Sequence, residues 1–205
     1  MGGSPLYNGS VSSPRHLATS RRDPATNSGI TNATAVLLLL ALFAEGLTIP
    51  LLPGSVTLHA ALGAALMGPV ALKSASTAWR MIHYYLGESS YVEKGPPPLI
   101  LRLLGPFVGL LTWVVLISGV VLMVPSWRSV DSLALFVHKA SFVLWFGAMA
   151  IHVLGHLPEI ARYVSRAGER AARRYAWTVA LAVLVGIVIA GAVAQWGSWN
   201  PGGLG

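Results

Sequence analysis

The sequence predicts an all-α fold, a polytopic membrane bundle of five transmembrane helices, and three observations carry that expectation. Hydrophobic residues make up 54% of the 205-residue chain and charged residues only 10%, where a soluble domain carries about 25% charged residues. Five stretches reach the roughly 20 mostly apolar residues that a helix needs to cross the hydrocarbon core. Basic residues between those stretches are dense on one side of the implied membrane and sparse on the other. Mean hydropathy is +0.64.

Residues 1–32 are rich in Ser, Gly, Pro, Asn and Arg and have no apolar period, so they are expected to form a disordered cytoplasmic tail. The first span is expected over residues 33–52, on the run AVLLLLALFAEGL, closed by Pro50 and Pro53. It has no small-residue cleavage site after it and is long for a signal sequence, so it reads as a retained span. The second span, 55–82, opens SVTLHAALGAALMGPVAL; Pro69 inside it is an expected kink. Pro96, Pro97 and Pro98 break the connection that follows. The third span, 103–125, reads LLGPFVGLLTWVVLISGVVLMVP and is closed by Pro125. The fourth, 132–160, contains HKASFVLWFGAMAIHVLGH, with Pro158 near its end, and the fifth, 175–196, is YAWTVALAVLVGIVIAGAVAQW. The expected organisation is therefore the tail, a four-helix core over 33–160, and a last unit over 161–205. That last unit holds a basic cytoplasmic loop, the fifth span and a short external tail.

The basic residues orient the bundle. One side receives Arg15, Arg21, Arg22, Arg80, Lys94, Arg102, Arg162, Arg166, Arg170, Arg173 and Arg174, and the other receives Arg128, eleven against one. Lys73 and Lys139 lie within spans and are not counted. The positive-inside rule then puts the N-terminus in the cytoplasm and the C-terminus outside a plasma membrane. The net charge of +7 belongs to this topology and to contact with membrane lipid, which removes the reason to invoke nucleic acid. Cysteine is absent, which excludes disulfides, thiolate metal sites, cysteine-held iron–sulfur clusters and thioether attachment of haem. Connections between spans reach only about 20 residues and carry no phosphate loop or nucleophile motif, so no soluble catalytic domain is expected.

Three histidines in one apolar span are the feature that calls for chemistry. An ionisable group in a span costs about 2.5 kcal/mol or more, and by default it is functional. Spans two and four run in the same direction, so equal positions along them lie at equal depth. His59 enters four residues into the second span and His138 about six into the fourth, so the two are expected to face each other near the outer surface. His152 lies 14 residues beyond His138 on the same face, deeper by roughly 21 Å, and His156 is one turn deeper again. From His59 the same 14-residue step leads to Lys73. Paired ligands on facing helices, repeated at two depths, are what two stacked b-type haems require, since each iron takes two axial ligands and neutral imidazole supplies them. The expected haem sites therefore lie between spans two and four, with His59, His138 and His152 on iron.

This pattern resembles the bacterial cytochrome b561-like superfamily, whose members include the membrane subunits of formate dehydrogenases and nickel–iron hydrogenases. The resemblance rests on His138 and His152 in one span and on His59 opposite, within residues 33–160. It implies an electron-transfer subunit of an oxidoreductase rather than a stand-alone enzyme. Such a subunit holds one or two haems b and passes electrons between quinone and a separate redox protein; a homo-oligomer is compatible with it. The sequence departs from the pattern at the inner site. There Lys73 stands opposite His152, and His83 lies ten residues further along, roughly 15 Å by helical rise.

Each residue has a plainer reading. The span histidines can hydrogen-bond helix to helix. Lys73 can snorkel inward, or it can meet a haem propionate or a quinone. Arg80 suits an inner propionate or a basic anchor. His156 lies beside Pro158 and Glu159 near the interface, and His83, within WRMIHYY, suits an interfacial role. Glu45, deep in the first span, is a candidate proton-handling group at an external quinone site. His152 and His156 also have zinc spacing, without an Asp, Glu or Cys at their depth to complete a site. Trp79, Tyr84, Tyr85, Trp127, Trp177, Trp196 and Trp199 cluster at span ends as interfacial belts. Gly63, Gly147 and Gly155 permit close helix approach or leave room for a porphyrin face. The rival functional class is a haem-free membrane protein, a transporter accessory or assembly factor, whose histidines handle protons or join helices.

Overall fold

The structure is a computed structural model that describes residues 24–52, 54–93, 95, 98–124, 131–166 and 168–196. Six α-helices make up the described fold: α1 (Pro24–Thr48), α2 (Val56–Tyr85), the single-turn α3 (Ser89–Val92), α4 (Leu99–Met123), α5 (Asp131–Arg166) and α6 (Gly168–Trp196). Among the described residues there is no strand. Five helices are long and apolar enough to cross a membrane, over Asn27–Leu51, Val56–Tyr85, Leu99–Met123, Ser132–Pro158 and Tyr175–Ala192. These are the five spans expected, and a membrane protein is the class they support. Residues 1–23, Pro53, Lys94, Pro96, Pro97, 125–130, Ala167 and 197–205 lie outside the described residues, and with them most of the expected tails, Arg128, Trp127 and Trp199.

Two boundaries differ from expectation. Helix α1 begins nine residues before residue 33. Asn27 and Thr31 are polar but not loop-forming here, because each finds a partner on α2: Asn27 Nδ2 donates to the Ser76 carbonyl at 3.1 Å, and Thr31 Oγ1 meets Ser76 Oγ at 3.0 Å. The basic segment around residues 161–174 is helical up to Arg166 and again from Gly168 rather than a loop. Its Arg, Ala and Glu residues are good helix formers, and their polarity says only that they do not belong in hydrocarbon.

Helix α2 continues through Pro69. It ends in a Schellman motif, in which the Glu88 N–H donates to the His83 carbonyl and the Gly87 N–H to the Tyr84 carbonyl, both at 3.1 Å. Gly87 takes φ +76° there, a left-handed conformation that glycine adopts without a Cβ penalty.

Three helix pairs pack most closely: α4 with α5, α2 with α6, and α1 with α2. The α2–α6 crossing brings backbones together. A Cβ on Gly68 would fall 2.7 Å from the Gly186 amide nitrogen and nearer still to the Ala182 carbonyl oxygen. Lipid offers no hydrophobic drive between helices, so small residues that let backbones touch supply van der Waals contact instead. Apolar clusters join the rest: Leu38, Leu66, Val70 and Leu116 across α1, α2 and α4, and Val108, Leu111 and Ala148 across α4 and α5. Large apolar side chains such as Leu40, Phe43, Phe136, Val143 and Leu154 point outward, as a lipid-facing surface requires. Helices α2 and α5 are not among the closely packed pairs of the described residues. They stand apart, and side chains span the space between them.

Candidate functional site

His59 of α2 and His138 of α5 meet in that space. Their ring centres are 6.3 Å apart, with the planes at 89°. The sequence places them at equal depth on parallel helices, and the structure brings them together.

Each ring is held from behind by its Nδ1. His59 Nδ1 lies 2.7 Å from Thr48 Oγ1 and 3.1 Å from Glu45 Oε1. The Thr48 hydroxyl proton is already donated to the Glu45 backbone carbonyl at 2.6 Å, so Thr48 Oγ1 is an acceptor towards the imidazole. That arrangement suits a proton on His59 Nδ1. His138 reaches the same state by another route. Its Nδ1 lies 3.0 Å from the Val115 carbonyl oxygen, which can only accept, and 3.1 Å from Ser118 Oγ. The Ser118 hydroxyl donates to the carbonyls of Val114 and Val115, at 2.7 and 3.0 Å. Both settings thus suit the tautomer with a protonated Nδ1 and a lone pair on Nε2. A ring nitrogen fixed in this way by the hydrogen bond on the other is the usual second shell of a metal-ligating histidine.

Local sequence explains the cradle. Helix α1 ends at Thr48, where the chain turns through Ile49–Leu51 into α2, and Ser55 Oγ donates to the Thr48 carbonyl at 2.8 Å. That turn delivers Thr48 and Glu45 to the first helical turn of α2, where His59 stands. Gly63, one turn deeper, leaves room for the carboxylate: a Cβ there would lie 3.3 Å from Glu45 Oε1. Across the site, Gly119 of α4 leaves room for His138, whose Cε1 is 3.2 Å from the place a Cβ would occupy.

The deeper half of the bundle is built differently. His152 lies within electrostatic reach of Lys73 and His156, as their equal or adjacent depths lead one to expect. The His152 and His156 ring centres are 4.7 Å apart. His152 Nδ1 is buried without a hydrogen-bond partner among the described residues. Lys73 Nζ donates to the Thr31 carbonyl of α1 at 3.1 Å. His83 is engaged elsewhere. Its Nδ1 donates to the Trp79 carbonyl at 2.8 Å, its ring stacks on Trp79 at 4.2 Å, and its Nε2 is 3.7 Å from Glu88. That corner, with Tyr91 and the stacking of Arg102 on Tyr84 and Tyr85, has the make-up of an interfacial cluster. Arg80 is half-buried on the same stretch of α2. Among the described residues no three His, Cys, Asp or Glu side chains gather as they would around a bare metal ion.

Sequence reasoning missed the anchors. Thr48, Val115, Ser118 and Gly119 were not singled out, and only Glu45 was marked, for another role. The available signal was a Thr and a Ser, each in an apolar run and each within a few residues of a Gly. The chain matches no family model, no curated relative and no solved structure.

Proposed function

We propose that this chain is a multi-pass cytochrome b of the plasma membrane, N-terminus cytoplasmic and C-terminus external, that moves electrons between a quinone pool and a separate redox protein. One observation carries the reading: two histidines on separated helices, each with its Nδ1 taken by neighbours on another helix, stand with ring centres 6.3 Å apart. Two imidazoles on opposite sides of one metal have ring centres about 6 Å apart, from a metal–nitrogen bond of about 2 Å and about 1 Å more to each ring centre. The observed 6.3 Å agrees with this. The residues fit a b-type haem, whose chemistry when bound is reversible one-electron exchange. His59 and His138 would hold its iron, Thr48 and Glu45 orient the first ring, and Val115 and Ser118 orient the second. Lys73, His152, His156 and Arg80 are the residues we assign to a deeper position, to hold a second haem or a quinone.

A dithionite-reduced minus oxidised spectrum of the purified protein tests the reading. A low-spin b-type signal is expected, and His59→Ala or His138→Ala should abolish it while the protein still inserts. An unaltered spectrum in both variants refutes the assignment. The Glu45, Thr48 and His59 contacts would also suit a haem-free protein that handles protons, and a colourless wild-type protein selects that reading.

A further inference from the structure

We infer that the deeper position is a quinone site and not a second haem site, with His152 Nδ1 as the atom that meets the quinone oxygen; this rests on the haem reading of the outer pair. The resemblance to di-haem cytochromes implies a second pair of axial ligands at this depth, and the described residues do not form one. An iron takes two imidazoles on opposite sides, with ring centres about 6 Å apart. His152 and His156 stand one turn apart on a single helix, with ring centres 4.7 Å apart, so they cannot face each other across a metal. The residue of α2 at the depth of His152 is Lys73, and its Nζ is bonded to the Thr31 carbonyl of α1. His83 lies ten residues further along α2, roughly 15 Å by helical rise. Its nitrogens are engaged at the interfacial corner, by the Trp79 carbonyl and by Glu88. The remaining described histidines, His59 and His138, form the outer pair.

What stands at this depth is a hydrogen-bonding position. His152 Nδ1 is buried with no partner among the described residues. A polar atom left in that state is costly, so a ligand that satisfies it is held there. Gly105 of α4 lies against the ring without a side chain; a Cβ there would be 3.8 Å from His152 Cε1. His152 and Lys73 both lie within spans, Ser132–Pro158 and Val56–Tyr85. A ligand that reaches them has to dissolve in hydrocarbon and still carry hydrogen-bonding oxygen, and a quinone does both. The ring nitrogen serves either state of it. With a proton it donates to a quinone carbonyl; with a lone pair it accepts from a quinol hydroxyl. Ile151 and Leu154, beside His152 on α5, are exposed, so the lipid in which such a ligand dissolves lies alongside.

The experiment uses the full chain in detergent micelles, with decylubiquinone and a short-chain menaquinone as probes. Haem per chain is measured by pyridine haemochrome. Quinone binding is measured by equilibrium dialysis and by the ultraviolet spectrum of the bound probe. One haem per chain and saturable binding of at least one probe are expected. His152→Phe keeps a flat ring and removes both nitrogens. It should weaken probe binding by about tenfold, the worth of one hydrogen bond, and keep the haem content and the outer signal. His83→Phe should leave both measurements unchanged. Two haems per wild-type chain overturn the inference, and so does a wild-type protein that binds neither probe. A His152→Phe protein that binds the probe as wild type overturns it too. If that variant does not accumulate, Gly105→Leu puts a side chain against the His152 ring, and unaltered probe binding in it is the overturning result. A wild-type protein without haem overturns the underlying reading, a distinct outcome.

Discussion

Gly186→Ala offers a sharp test of how the bundle is held. The new Cβ would lie 2.9 Å from the Ala65 carbonyl carbon of α2 and nearer still to its oxygen, whereas ordinary contact begins at 3.4 Å. The shortfall at carbon alone is 0.5 Å (3.4 − 2.9), and the atoms that must give are backbone, which cannot rotate away. Helices α2 and α6 therefore have to separate. Overpacking of this sort costs about 1–3 kcal/mol, and an immobile neighbour puts it towards the upper end. The better helix propensity of Ala returns at most about 1 kcal/mol. A net loss of about 1–2 kcal/mol lowers the folded-to-unfolded ratio by roughly 5- to 30-fold. Thermal unfolding of the detergent-purified protein reads this as a lower Tm. Gly191→Ala, on the same helix with nothing within 4 Å of its Cβ, is the control and should be neutral or slightly stabilising. Ala65 lies six residues from His59, roughly 9 Å along α2, so a shifted α2 should also disturb the His59–His138 spacing and any spectrum that depends on it. If Gly186→Ala unfolds at the temperature of Gly191→Ala, the backbone contact does not hold the helices.

Two further outcomes follow from the same geometry. Reporter fusions should find the N-terminus in the cytoplasm and the C-terminus outside; both ends on one face would remove the parallel alignment of α2 and α5. Lys73→Met deletes the ammonium that donates to the Thr31 carbonyl. A hydrogen bond from a charged group contributes about 1.5–3 kcal/mol, close to the cost of keeping that charge in a span, so a small stability change is expected. Its spectral effect should fall on the deeper site and spare the His59–His138 signal roughly 21 Å away; an altered outer signal would refute independent sites.

The five spans were legible because hydropathy acts along the chain, and so was the meeting of His59 with His138, because depth in a membrane can be counted in residues. Lateral packing cannot be counted in that way. The contact of Thr48 and Glu45 with His59 depends on the turn that folds α1 back against α2, and the contact of Val115 with His138 depends on which face α4 turns to α5. No periodicity encodes either. Lys73 and His152 were matched by depth, but the Thr31 carbonyl that takes the Lys73 ammonium lies on a third helix. The early start of α1 failed for the converse reason: Asn27 and Thr31 look like solvent residues until Ser76 is seen opposite them. The basic segment is helical because charge keeps a segment out of hydrocarbon without unwinding it.

The two histidine cradles also differ in how point mutation can reach them. Thr48 and Glu45 are side chains, and a single codon change replaces either one. The chief partner of His138 is the main-chain carbonyl of Val115, which every residue type carries, and Ser118 is the one hydrogen-bonding side chain among its α4 contacts, beside Gly119, which leaves the ring its room. The hydrogen bonding of this pair can therefore drift by small genetic steps chiefly through α1. An engineer who wished to alter the pair would begin at positions 45 and 48, in a helix that contributes neither histidine.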